Sequence, residues 1–119
     1  MIVMSLFMTT GCKRDKPEDP LRISTNASLL TIALASDFSF NLKVESAMPE
    51  GGVRIDYKVT GELDNQVYPQ GPAITTSNNT MPVNLTNLPR QKFCICTITV
   101  TSNSRSSNVA TTNFRIVYK

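Results

Sequence analysis

Histidine is absent from this sequence of 119 residues. It is the commonest metal ligand in proteins and the side chain most often used for general acid–base catalysis. Its absence excludes Ser-His-Asp and Cys-His catalytic systems, together with zinc sites that use histidine. We therefore predict a protein that is not an enzyme and that holds no metal or other cofactor.

The sequence also lacks a large excess of positive or negative charge. The sequence has 12 basic and 9 acidic residues, which leaves a net charge of +3, and they are scattered along the chain. Proteins that bind nucleic acid concentrate basic residues in a patch or stripe, so we predict no nucleic-acid partner. Tryptophan is missing too, but 40% hydrophobic and 18% charged residues are typical of an ordinary folded domain. The length is that of one domain.

The N-terminal apolar run, IVMSLFM at 2–8, is too short to cross a membrane, which takes about 20 apolar residues. A run of this length, followed by small residues, is typical of a secretory signal. The small residues are Thr9, Thr10 and Gly11, and Cys12 follows them directly. The run therefore predicts a signal segment that ends immediately before Cys12.

This arrangement resembles the lipobox of bacterial lipoproteins. In that family the cysteine thiol receives a diacylglyceryl group, and the cysteine becomes the first residue of the mature chain. The resemblance implies a signal peptide over residues 1–11, a lipid on Cys12 and a membrane as a partner through that lipid. Thr9 stands where lipoboxes usually have leucine. The alternative is an N-terminal strand in which Gly11 and Cys12 are neighbours by chance.

Residues 12–20 form a charged segment, with the letters KRDKPEDP after Cys12. Pro17 and Pro20 disfavour helix and strand, and the charges favour solvent, so we predict a tether with a reach of at most about 30 Å. Charged residues behind a lipidated cysteine resemble the export signal of surface lipoproteins in the Bacteroidetes. The resemblance implies an outer-membrane lipoprotein, and both the periplasm and the cell surface stay open as its location. A plain solvated linker is the alternative.

Alternation of apolar and polar residues dominates the segment 21–119, and turn residues separate the runs. Such a pattern without helical stretches predicts an all-β, immunoglobulin-like antiparallel sandwich of about seven strands. ISTNASLLTIAL at 23–34 also fits a short helix, but its Thr and Ile content favours one or two strands. The clearest runs are 37–44, 53–59, 81–86, 94–100 and 114–118.

Residues 87–116, NLPRQKFCICTITVTSNSRSSNVATTNFRI, resemble the last three strands of a fibronectin type III or immunoglobulin-like domain. In that family a Leu and a Pro close one strand and an aromatic residue opens the next. Leu88 and Pro89 match the first feature and Phe93 matches the second, one residue closer than usual. Phe93 also lacks the hydroxyl of a tyrosine corner. The resemblance implies the fold and brings no catalytic residue with it.

Cys94 and Cys96 face the same side of a strand, because side chains alternate with a period of two. Their Cα atoms are then about 6.6 Å apart, while a disulfide prefers about 5.5–6 Å. We favour two buried thiols in the core over a strained or intermolecular disulfide. A metal site is the third alternative, and carboxylates would have to complete it.

Aromatic residues on alternating apolar faces are expected in the core; these are Phe38, Phe40, Tyr57, Phe93 and Phe114. Tyr68 is the exception, because two prolines follow it closely in QVYPQGP and predict a loop there. We predict that Tyr68 and Gln70, in the stretch 61–80, form a recognition loop for a protein or glycan partner. The alternative is that Tyr68 covers the core.

The acidic residues offer no organised site. Glu62 and Asp64 have too few oxygen neighbours for calcium, and we expect a solvated hairpin there. The predicted function is therefore that of a membrane-anchored cell-envelope lipoprotein with a non-catalytic binding or structural role. The alternatives are a subunit of a larger surface complex, docked by strand addition, and an accessory domain of an envelope enzyme.

Overall fold

The structure is a computed structural model, and it describes residues 19–119. Predictions for Cys12, for the signal peptide at 1–11 and for most of the tether lie outside the described residues. The described part contains nine strands and no helix, and consequently no helix there is long and apolar enough to cross a membrane. The strands are β1 (Ile23–Thr25), β2 (Leu30–Ala33), β3 (Phe38–Val44), β4 (Val53–Gly61), β5 (Val67–Tyr68), β6 (Ile74–Thr76), β7 (Thr80–Leu85), β8 (Phe93–Ser102) and β9 (Val109–Tyr118).

Two sheets form the sandwich. The small sheet has the order β1-β3-β7, and the large sheet has the order β2-β9-β8-β4-β5, with β6 also paired to β4. All pairs are antiparallel except that of β2 with β9. The prediction of an all-β, immunoglobulin-like sandwich is confirmed.

The structure has nine strands where about seven were expected. The N-terminal segment, for which one or two strands were predicted, contributes two, β1 in the small sheet and β2 in the large sheet. Asn26 lies at this change of sheet, where its side-chain oxygen accepts a hydrogen bond of 2.8 Å from the backbone of Asn41. The short strands β5 and β6 are the two additional strands, and they lie in the stretch 61–80, for which a loop was predicted.

The core lies between the sheets and consists of the inward-facing residues of the long strands. Strand β8 shows the alternation of inward-facing and outward-facing residues most clearly, since Cys94, Cys96, Ile98 and Val100 are all buried. Across the sandwich the rings of Phe40 and Phe114 meet edge to face, with their centroids 5.2 Å apart. Phe38 and Tyr57 are half-buried against this core, as expected of residues at its margin.

Phe93 was predicted in the core, and this prediction is wrong. Its side chain is 42% exposed, on the outer face of the large sheet. The reason is the period of two along a strand: if Cys94 and Cys96 face inwards, Phe93 must face outwards.

The chain enters and leaves the sandwich at opposite ends. Asn108, at the hairpin between β8 and β9, accepts a hydrogen bond of 2.9 Å from the backbone N–H of Leu21. The same side chain donates one of 3.0 Å to the carbonyl of Asp19. Strand β9 then runs from this end of the sandwich to the opposite end. We call that opposite end, where β9 finishes at Tyr118, the distal end. The ten residues of β8 separate the two ends by about 30 Å.

Candidate binding site

The turn between β4 and β5 shapes one wall of the candidate site. The backbone N–H of Gly61 donates to the carbonyl of Gln66 at 2.8 Å, and Asn65 takes a left-handed conformation with φ 57°. Asp64 holds the turn by accepting a hydrogen bond of 3.0 Å from the backbone of Gln66. The turn therefore projects Leu63 into solvent, where its side chain is 94% exposed. The expected solvated hairpin at this position is confirmed.

A shallow groove of about 310 Å³ lies beside this turn, at the distal end. It is formed by the turn, by the residues that lead into β8 and by one residue of β9. Phe93 provides the apolar surface of the groove, and Leu63 overhangs it. The residues lining the groove are Glu62, Leu63, Gln91, Lys92, Phe93 and Arg115.

Arg115 is fixed over the groove by two contacts. Its guanidinium carbon lies 4.8 Å from the centroid of the Phe93 ring, a distance typical of a cation–π interaction. Its Nε donates to Oε1 of Glu62 at 3.0 Å. Because the guanidinium lies over the ring and also pairs with a carboxylate, two contacts hold it beside Phe93, which is still 42% exposed.

Lys92 and Asp64 form the second charged pair of the site. The ammonium of Lys92 donates to the carboxylate of Asp64 and lies 5.6 Å from the centroid of the Tyr68 ring. The pKa of Asp64 is lowered, first by this hydrogen bond and next by the one from Gln66. The pKa of Lys92 is raised, mainly by the same bond with Asp64. Both groups are therefore charged at neutral pH and join the turn to β8.

An apolar stripe continues from the groove across the outer face of the large sheet. Phe93 is paired with Val117 of β9, and Val117 is in turn paired with Ile32 of β2. Val117 is buried, whereas Ile32 is 53% exposed. These three apolar residues form one row across β8, β9 and β2 at the distal end, which we call the distal stripe.

The groove presents an aromatic ring and an arginine beside two carboxylates. Its carboxylates, on Glu62 and Asp64, are each engaged with a cation. Over residues 19–119 no three His, Cys, Asp or Glu side chains come together to hold a metal ion. An accessible aromatic ring and a fixed arginine within a charged rim match the composition of residues that dominate protein–protein binding energy.

The structure brings the two predicted recognition residues near this site but gives them internal partners. Tyr68 lies in strand β5, opposite Val59, and is half-buried against the core. Gln70 pairs its amide with the backbone of Thr86, donating at 2.7 Å and accepting at 2.7 Å. A loop had been expected around Tyr68, whereas the residue belongs to a short strand. The role of Tyr68 and Gln70 in recognition stays a prediction.

Reasoning from the sequence missed Leu63, Phe93 and Arg115 as parts of one site. The alternation around Cys94 could have identified Phe93 as an outward-facing residue, because neighbouring residues of a strand face opposite sides. Nothing in the sequence indicated that Leu63 and Arg115 meet there, since they are separated along the chain and join only through the pairing of β4, β8 and β9.

The two other cysteines lie on the inner face of the same strand. Cys94 and Cys96 are both free and buried, so the prediction of two buried thiols is confirmed. Burial raises the pKa of both thiols, and it raises that of Cys96 to about 12. Because a thiol with so high a pKa stays protonated at neutral pH, Cys96 is a packing residue rather than a nucleophile.

Comparison with protein-family models gives no match, and comparison with curated proteins gives none either. The fold and the geometry of the groove are therefore the basis for the function proposed below.

Proposed function

We propose that this protein is a lipid-anchored lipoprotein of the bacterial outer membrane, and that its sandwich domain binds a protein partner through the groove at the distal end. The lipid would be attached to Cys12 after removal of residues 1–11, and 12–20 would be the tether. The role is one of binding or assembly and involves no catalysis.

The observation behind this proposal is that the chain enters at the end opposite the groove. The side chain of Asn108 holds the backbone of Asp19 and Leu21 at the entering end. Phe93 and Arg115 lie at the distal end, about 30 Å away along β8 and β9. An anchor that precedes Asp19 therefore leaves the groove unobstructed.

The groove favours a protein over a glycan as the partner. Its surface combines Phe93 with the aliphatic Leu63, and an aliphatic side chain has no ring face on which a sugar could stack. An aromatic ring beside an arginine is a combination that is enriched in protein–protein interfaces. The second candidate function, a subunit of a larger surface complex, uses the same surface with a permanent partner.

Fatty-acid labelling tests the anchor. Cells producing the wild type or Cys12→Ala are fed a labelled fatty acid, and we expect label on the wild type alone. Treatment of intact cells with protease then distinguishes the locations, since a surface protein is cleaved and a periplasmic one is protected. An unlabelled wild type would contradict the lipoprotein proposal.

Photo-crosslinking tests the groove independently of the anchor. A photoreactive residue is placed at Leu63 or, as a matched control, at the exposed Ser106 in the hairpin of the opposite end. We expect a discrete protein adduct from position 63, at least about tenfold weaker with Phe93→Ala, and no such adduct from position 106. Equal adducts at both positions, or an adduct indifferent to Phe93→Ala, would contradict the proposed site.

A further inference from the structure

Strand β2 presents a free backbone edge to solvent. Within residues 19–119 it pairs only with β9, where the carbonyls of Leu29 and Ala33 accept hydrogen bonds of 2.9 and 3.3 Å from the backbone N–H groups of Arg115 and Lys119. Backbone groups point to alternate sides along a strand, so those of Leu30 and Ile32 point away from β9. Among residues 19–119 no strand pairs with that side.

The other long edge is protected against strand addition, which makes β2 exceptional. In β7 the ladder to β3 includes a bond of 2.7 Å from Val44 to the carbonyl of Asn79, and the alternation from there turns Pro82 towards the free edge. Proline has no N–H to donate, so it blocks an added strand. Strands β1, β5 and β6 have no more than three residues each.

Residues 28–36, SLLTIALAS, lack the side chains that protect edge strands from pairing. The segment has no charged residue and no proline. It also concentrates exposed apolar side chains, since it holds four of the eight large ones in the described chain. These are Leu29, Leu30, Ile32 and Leu34. An edge of this composition is a template for pairing with another strand.

We propose that β2 pairs with β2 of a second copy of this chain, antiparallel, to join the two large sheets into one continuous sheet. The segment is complementary to itself in this arrangement. With Ile32 opposite Ile32 of the second copy, Leu30 lies opposite Leu34, and residues on the same face meet. The backbone groups of Leu30 and Ile32 that point outwards then find partners, and the absence of charge in 28–36 removes repulsion between the copies.

The pairing would extend the distal stripe rather than cover the groove. Ile32 is the end of that stripe, and Phe93 lies two strands away from it. Two copies related by a twofold axis would therefore show two grooves on one face of the joined sheet. Because β2 has four residues, the interface is small and the dimer is expected to be weak, with Kd on the order of 10–100 µM.

Sedimentation equilibrium of the full-length chain in a density-matched detergent tests the pairing. We expect reversible dimers in the wild type and a Kd at least about tenfold higher for Ile32→Lys, since two like charges face each other across the strands. Val109→Lys is the control, because Val109 is exposed on the same sheet at the opposite end. It should leave the Kd unchanged.

Mixing two variants tests the register. Ile32→Glu alone should be as monomeric as Ile32→Lys, whereas a mixture of the two should recover the dimer, because opposite charges then face each other. Both substitutions are at a side chain that is 53% exposed, and an unchanged thermal unfolding midpoint shows that they fold.

Three outcomes would overturn the inference: a wild type that is monomeric up to about 500 µM, an Ile32→Lys variant with unchanged Kd, and a mixture that stays monomeric. Cys12→Ala should dimerise like the wild type. Failure of the lipid proposal therefore leaves this inference intact, and the reverse also holds.

Discussion

The two faces of strand β8 perform different tasks with neighbouring residues. On the inner face Cys94, Cys96 and Ile98 are buried and make no contact with solvent. On the outer face Phe93 is exposed in the groove and Ile95 is half-buried beside Arg115. The comparison shows that the packed core and the proposed recognition surface are one residue step apart, so that a substitution on one face should leave the other largely unchanged.

The largest expected effect comes from removing buried volume on the inner face. Ile98→Ala deletes a fully buried side chain and leaves a cavity, which should lower the free energy of unfolding by about 3–4 kcal/mol. Ile95→Ala removes the same atoms from the outer face and should cost less than about 1.5 kcal/mol. Urea unfolding followed by circular dichroism measures both. Equal losses for the two variants would contradict the separation of the faces.

The second effect is the alkaline sensitivity of the inner face. Burial raises the pKa of Cys96 from 9.0 to about 12, so between these values the folded state holds a proton that the unfolded state releases. The free energy of unfolding should therefore fall as the pH rises above about 9, by at most about 1.4 kcal/mol per pH unit. Urea unfolding at about pH 8, below this window, and at about pH 9 and 10, at its lower edge and inside it, measures the slope.

Cys96→Ala provides the control for that slope. The variant lacks the buried thiol, so its stability should decline less steeply with pH than that of the wild type. Cys94→Ala should flatten the slope less. Burial raises the pKa of Cys94, but the positive charge of the nearby Lys92 partly offsets this increase. A Cys96→Ala variant with the slope of the wild type would refute this account.

The smallest expected effect on stability comes from the exposed ion pair of Asp64 and Lys92. The pKa of Asp64 in the folded protein is lowered from its ordinary value of 3.8. The pair with Lys92 therefore stabilises the fold at pH values above 3.8. This stabilisation is lost as the pH falls through the lowered pKa, because the carboxylate is then protonated. Asp64→Asn should therefore be slightly less stable than the wild type at neutral pH and equally stable in strong acid. Thermal unfolding at both pH values measures the difference. Added salt should reduce it at neutral pH, because the pair is exposed.

Much of the fold could be predicted from the sequence, because alternation with a period of two identifies strands wherever one face is buried. The same alternation placed the thiols of Cys94 and Cys96 in the core. It failed for Phe93 only because the ring was judged by its apolar character and not by its position next to Cys94. One or two strands were predicted for 23–34, but the pairing of β1 and β2 with different sheets could not be predicted, since sheet membership depends on distant strands.

The candidate site depended on contacts between distant segments. The two prolines that follow Tyr68 predict a loop, yet the structure gives this residue a strand partner and places Lys92 near its ring. Leu63 and Arg115 have no local signal, since an exposed leucine in a turn and an arginine in a strand are both ordinary. Their significance follows from strand register alone.

By itself the sequence determined the class of fold, the burial of the two thiols and the lack of histidine chemistry. These follow from composition and from local periodicity, which every segment contains independently of the others. Only the tertiary structure decided which apolar residues stay in solvent and which of them meet. Phe93, Val117 and Ile32 form one stripe because β8, β9 and β2 are adjacent in one sheet, and adjacency between strands is set by long-range pairing.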